Sequence, residues 1–238
     1  MTMKNKIYLT LGGKGGVGKS IAISLIADYL VKNEIPFLAF DCDNENSGKA
    51  AAFSTGYKDA QQINLRSVRD CDRLLTAAAE SEITLADLPA NASGDFMGWW
   101  SSVATPETLE ALNLEVIGIG AITPEAGSFA SVSQWAEELQ AKLKYITALN
   151  HRSQQRVEIS KEELFPEYFN TPTGEAFRKL FGPQEFEIPG LYEGSMLALA
   201  KSGQLPSAAA DNPAIPILDR SRIRTWKAKV HAQLLPVL

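Results

Sequence analysis

Apolar residues along the chain fall into two rhythms. Short unbroken runs rich in strand formers occur at 7–11 (IYLTL), 35–40 (IPFLAF), 83–87 (ITLAD), 114–120 (LEVIGIG), 143–150 (LKYITALN) and 186–189 (FEIP). Such runs read as buried strands of a parallel sheet. Between them lie stretches with helical spacing: 19–31, nearly all apolar, then 128–142, 173–181 and 194–203. In a last segment Ile223, Trp226, Val230 and Leu234 recur at helical intervals, which predicts a C-terminal helix near 219–235. Strands alternating with helices imply right-handed crossovers. The expected fold is therefore α/β: a single-domain, three-layer αβα sandwich over residues 1–238 with a mostly parallel central sheet. Residues 151–170 are polar with weak periodicity and predict an insertion or a mobile segment.

Chemistry gathers where the strands end. The run at 35–40 leads into Asp41 and Asp43, and the run at 83–87 ends in Asp87. The first run breaks into a glycine-rich loop. Ligands of parallel sheets bind outside the strand C-termini, where strand order reverses, so the loop and both acidic ends should meet there.

Residues 13–20 read G-K-G-G-V-G-K-S, which satisfies G-x-x-x-x-G-K-[ST] with a strand before it and a helix after it. Glycines let successive backbone N–H groups of Gly13, Gly15, Gly16, Val17 and Gly18 point into one concavity, and the helix that follows adds its positive end. A triphosphate fits such a cradle. Lys19 would place its ammonium on the β and γ phosphates, and the Ser20 hydroxyl would complete the shell of Mg²⁺. The expectation is a P-loop NTPase fold binding ATP and Mg²⁺. Such a loop needs one lysine, yet Lys14 supplies a second.

Bulk properties narrow the field. The chain has 238 residues, 45% hydrophobic and 21% charged, which fits a globular protein with a sizeable core. Its net charge of -5 excludes a molecule-wide polyanion binder. Locally, residues 219–238 carry Arg220, Arg222, Arg224, Lys227 and Lys229 against Asp219 alone. That stretch reads either as a phosphate-binding patch, as for non-specific DNA, or as a solvated helix face. Two cysteines, Cys42 and Cys71, argue against a disulfide framework and fit a reducing compartment. No signal peptide and no run of roughly 18 to 20 apolar residues is seen, so a cytoplasmic protein without a transmembrane segment is expected.

The loop wording "KGGVGKS" resembles the deviant Walker A motif of the ParA/MinD group of ATPases, in which a signature lysine stands near the start of the loop. Lys14 matches it. The resemblance implies that Lys14 crosses the interface of an ATP-dependent sandwich homodimer and touches the partner's nucleotide, much as an arginine finger does. "FDCDNENSG" (40–48) resembles switch I; Asp43 then orients the attacking water and Asp41 lies near Mg²⁺. Asn44 and Glu45 depart from the usual Pro and Gln. "ITLADLPANASG" (83–94) resembles Walker B with switch II: Asp87 holds Mg²⁺ through water, Pro89 stands for the first of two usual prolines, and Ala90 replaces the second. Asn150 matches the asparagine that reads adenine, and Pro189 the segment closing over the base. Lys14, Lys19 and Asp43 are thus the candidate catalytic residues.

Cysteine positions exclude the cluster-binding and zinc-binding branches of the group, and the absence of tyrosine from the last 40 residues excludes the tyrosine-kinase branch. Two classes stay open. One is a spatial-organising ATPase that positions or segregates DNA or protein cargo, with an unidentified partner protein stimulating hydrolysis; within it the loop and Phe96 resemble TraL-like ATPases of conjugative plasmids. The other is a small-molecule enzyme of the dethiobiotin or cobyrinate synthetase type. Lys14 favours the first. "DFMGWW" (95–100) reads either as core packing or as a nucleotide-gated partner site.

Overall fold

Alternate residues of a strand face opposite layers, and the first strand, β1 (Asn5–Leu11), sorts its side chains accordingly. Ile7, Leu9 and Leu11 join one apolar layer, and Tyr8 the other. The computed structural model describes residues 4–43, 53–90, 92–139, 143–152, 159–182 and 184–238. The further strands are β2 (Leu38–Asp41), β3 (Gln61–Gln62), β4 (Ile83–Asp87), β5 (Leu114–Ile122), β6 (Lys144–Asn150) and β7 (Glu185–Ile188). They form one sheet in the order β3-β2-β4-β1-β5-β6-β7, and every pairing is parallel. From β1 the chain builds one side of the sheet through β2 and β3, returns to β4 beside β1, and then builds the other side from β5 to β7. The end of β1 is therefore the point where strand order reverses.

The helices are α1 (Lys19–Lys32), α2 (Phe53–Gly56), α3 (Val68–Ala79), α4 (Ser93–Val103), α5 (Pro106–Ala111), α6 (Ser128–Leu139), α7 (Lys161–Leu164), α8 (Pro166–Phe169), α9 (Pro172–Phe181), α10 (Glu193–Ser202), α11 (Pro206–Asp211) and α12 (Ile217–Leu234). Helices α3 to α9 cover the Ile7 face. Helices α1, α2 and α10 to α12 cover the Tyr8 face, so the sheet is the middle of three layers. Among the described residues no helix is long and apolar enough to cross a membrane.

Several segments differ from expectation. Residues 161–169, within the stretch expected to be an insertion or mobile, form α7 and α8 and send Leu164, Phe165 and Tyr168 into the core. Each helix is four residues long, too short to write a period into the sequence, and a capping box of Ser160 and Glu163 opens the first. Residues 153–158 lie outside the described residues. Phe96, Trp99 and Trp100 of "DFMGWW" are buried on α4, with Trp99 Nε1 donating to Asp72 at 2.8 Å, so the core-packing reading holds.

Helix α12 buries Ile223, Trp226, Val230 and Leu234 as their spacing predicts. Its basic residues form less of an open patch than their number suggested. Arg222 pairs with Asp219 and lies over the Tyr192 ring, and Arg224 pairs with Asp211 at 2.8 Å. Lys227 is buried and donates to Ser207 Oγ at 2.6 Å beside Asp28. Asp219 lies on α12 itself, whereas Asp211 and Ser207 belong to α11 and Asp28 to α1.

Candidate nucleotide site

Between β1 and α1 the backbone enters the left-handed region at Gly12 (φ +116°), Gly16 (φ +72°) and Gly18 (φ +100°), conformations that cost any other residue. Gly18 is constrained twice, because a Cβ there would lie 2.3 Å from Asn150 Nδ2. Gly13 faces Trp135 and the Ala90 carbonyl, while Gly15 has open space before it. Helix α1 begins with no side-chain cap and no acidic residue in its first turn. Its first N–H groups and its positive end are thus turned toward the loop, the arrangement that receives an anion.

The loop is held from outside by three side chains, one on α6 and two at the end of β6. Ser131 Oγ accepts from Lys14 N at 2.9 Å, Asn150 Nδ2 donates to the Val17 carbonyl at 2.9 Å, and the Arg152 guanidinium donates to the Gly16 carbonyl. Within the loop, Lys19 Nζ donates to the Lys14 carbonyl at 3.2 Å.

Three charged residues meet beneath the loop. Lys19 is 8% exposed, and burial lowers its pKa, while attraction to Asp87 and Asp43 partly restores it. Asp87, 1% exposed, is pushed up to about 6 by burial, against hydrogen bonds from Ser20 and Thr10 that lower it and the charge of Asp41 that raises it further. Thr10 fixes this carboxylate: its hydroxyl donates to Asp87 Oδ1 at 2.8 Å and accepts from Leu88 N at 2.7 Å. Asp41 is equally buried, but both oxygens are taken, Oδ1 by Asp43 N at 3.0 Å and Oδ2 by the backbone and hydroxyl of Ser54. Hard oxygen donors from Ser20 and Asp87, with an ionisation that burial opposes, suit a hard divalent cation such as Mg²⁺. A group of three His, Cys, Asp or Glu side chains able to hold a metal on their own does not occur among the described residues, so bound phosphate would have to complete the shell.

Beside the loop lies a cleft of about 570 Å³, within the usual size for a cofactor site. Gly16, Gly18, Asn150, Arg152, Pro189 and Met196 are among its lining residues. Its placement follows from β6 and β7 ending side by side, with Asn150 opposite Ile188. Pro189 is fixed in turn by α12, since Trp226 Nε1 donates to its carbonyl at 2.6 Å. The structure therefore gathers Gly13, Gly15, Gly16, Val17, Gly18, Lys19, Ser20, Asp41, Asp43, Asp87, Asn150 and Pro189 at one end of the sheet. Asn44 and Glu45 lie outside the described residues.

Lys14 stands apart. Its ammonium points to the loop after β5, donating to the Ala126 carbonyl at 2.7 Å and lying 3.7 Å from Glu125. Sequence reasoning passed over Thr10, Ser131, Glu125 and Arg152. Thr10 alone left a trace, as a polar residue in the middle of an apolar strand; the others lie far from the loop in sequence.

Residues 8–163 match the family described as the CobQ/CobB/MinD/ParA nucleotide binding domain. The chain belongs to this family. Among solved structures, it is similar to a chain of the MinC:MinD cell division protein complex of Aquifex aeolicus, with 13% identity, a TM-score of 0.55 and coverage of 97% of this chain and 96% of that one. The Aquifex aeolicus MinD cell division protein gives 14% identity, a TM-score of 0.53 and coverage of 97% of each chain. Both likenesses concern the fold. No curated protein matches the sequence.

Proposed function

We propose that this protein is a Mg²⁺-dependent ATPase that pairs face to face with a second copy around two nucleotides, and that the paired form positions DNA or protein cargo. The observation that carries the reading is the division of labour between the two loop lysines. Lys19 lies in the cradle, and Lys14 faces away from it on the rim. An ammonium directed away from its own cradle is placed to serve a second chain.

ATP supplies the phosphoryl group whose transfer to water releases energy for the switch. Lys19 and the α1 N-terminus bind the phosphates, and Ser20 and Asp87 hold the cation. Asp43, close enough for its charge to act on Lys19, orients the attacking water. Asn150 reads the base from the cleft floor, and Pro189 closes one wall. A partner protein would accelerate hydrolysis by acting on the rim. Plasmid partition and conjugative transfer are the processes such a switch fits. DNA contact through α12 is the weaker part of the proposal: Arg222 and Arg224 keep 46% and 53% of their side-chain surface, but each is already paired with a carboxylate.

Lys14→Gln tests the central claim. The variant should fold and bind ATP as a monomer, while dimerisation and hydrolysis fail together, because one absent cation weakens the interface and leaves transferring charge uncompensated. Light scattering with a slowly hydrolysed ATP analogue, run beside a turnover assay, reads both. An ordinary dimer with full turnover would make Lys14 a bystander and leave a small-molecule enzyme as the better reading.

A further inference from the structure

Lys14 is held where it is by one carboxylate that holds a second cation as well. Glu125 Oε2 lies 3.7 Å from Lys14 Nζ, and Glu125 Oε1 accepts from Arg152 Nη1. The other arm of Arg152 grips the Gly16 carbonyl, and Lys14 also donates to the Ala126 carbonyl. One acidic side chain thus spans the mouth of the glycine loop, from its first lysine to the edge of the base cleft.

The turn that presents Glu125 is fixed at both ends. Ser128 Oγ accepts from Thr123 N at 3.1 Å and donates to the Thr123 carbonyl at 2.7 Å. The Glu167 carboxylate accepts from Gly127 N at 2.9 Å. Backbone placement is therefore settled, while the Glu125 side chain keeps 50% of its surface in solvent. Ion pairs so exposed are weak and readily exchanged. A rigidly mounted carboxylate in weak pairs can hold two cations at rest and give them up to a stronger anion.

We propose that Glu125 is a counter-ion latch: it holds Lys14 and Arg152 in the nucleotide-free chain and sets the threshold for nucleotide-driven pairing. The inference rests on the reading in which Lys14 serves a second chain. Before Lys14 can reach another chain's phosphates it must leave Glu125, and that release opposes pairing. Removing the charge should ease it.

The experiment is light scattering with a slowly hydrolysed ATP analogue and Mg²⁺, titrating protein concentration for the wild type, Glu125→Gln, Lys14→Gln and the double variant. Glu125→Gln should dimerise at a protein concentration about threefold to tenfold lower than the wild type. That gain should vanish when Lys14→Gln is present, since the latch then has nothing to hold on that side. A circular-dichroism melt checks folding; if Glu125→Gln does not fold, Glu125→Asp, which withdraws the charge by one methylene, should give a smaller gain in the same direction. A wild type that dimerises beside a Glu125→Gln chain that dimerises no more readily overturns the latch and leaves Lys14's role standing. A gain that persists in the double variant also overturns it. A wild type that stays monomeric with the analogue bound overturns the reading of Lys14 and the latch with it.

Discussion

The inner wall and the outer rim of the glycine loop each carry a lysine, and the two are treated differently. Lys19, on the wall, is buried, so that its own charge is disfavoured until an anion arrives. Lys14, on the rim, keeps 31% of its side-chain surface exposed and rests against a carboxylate and a carbonyl. The wall holds its charge at a cost, ready for a ligand inside the cradle. The rim holds its charge in a weak exchangeable pair, suited to a ligand that arrives from outside. On the proposed function, depth of burial separates two tasks that the sequence wrote into one motif.

The largest effect should come from the wall. Lys19→Ala removes charge-assisted contacts to phosphate, each typically worth about 1.5 to 3 kcal/mol, so ATP affinity should fall tenfold or more. Isothermal titration calorimetry reads this directly, and unchanged affinity would erase the distinction between wall and rim.

A slightly smaller effect is expected at Asp87, and it concerns stability. Its folded pKa of about 6 stands above the ordinary value of 3.8, so the folded chain binds this proton more tightly than the unfolded chain does. The resulting stabilisation is fully present below the unfolded value and is lost as pH rises through about 6. At neutral pH the nucleotide-free protein should carry a penalty on the order of 2 to 3 kcal/mol. Asp87→Asn should therefore raise the denaturation midpoint of the nucleotide-free chain at about pH 7.5 and flatten the pH dependence between about 4 and 6. It should also abolish any further stabilisation by Mg²⁺ and ATP. Urea melts at several pH values, with and without ligand, compare the two.

The smallest effect tests the joint between loop and cleft. Gly18→Ala puts a Cβ into a left-handed residue and against Asn150 Nδ2. A cost of about 1 to 2 kcal/mol follows from the backbone alone. Displacing Asn150 should also reduce the preference for ATP over GTP, which competition binding would reveal. Retained preference would detach Asn150 from base reading.

How much of this was legible depends on the distance over which each feature is encoded. The loop, the strands ending at Asp41, Asp87 and Asn150, and the buried stripe of α12 are local patterns, and they read directly. Helix α3 was missed although Ser67 caps it by accepting from Asp70 N, a serine-to-aspartate spacing that is a recognised start signal. How far the charge of α12 is neutralised was not legible, because Asp28 and Asp211 come from other helices. Glu125 and Arg152 were out of reach for the same reason: β5 and β6 must be paired before the loops that follow them can meet across the glycines.

One feature of α12 bears on how copies can associate. Gln233 Oε1 accepts from Glu187 N at 2.9 Å, and its Nε2 donates to the Glu187 carbonyl at 3.2 Å. The side-chain amide thereby imitates the backbone of a neighbouring strand on β7, the last strand of the sheet. An uncovered border would invite another molecule's strand, and repetition of that step leads to open-ended polymers. With the β7 border occupied by the molecule's own glutamine, growth by strand addition is discouraged on that side. On the pairing proposed above, association would instead be a closed pair with twofold symmetry, a form that stops at two.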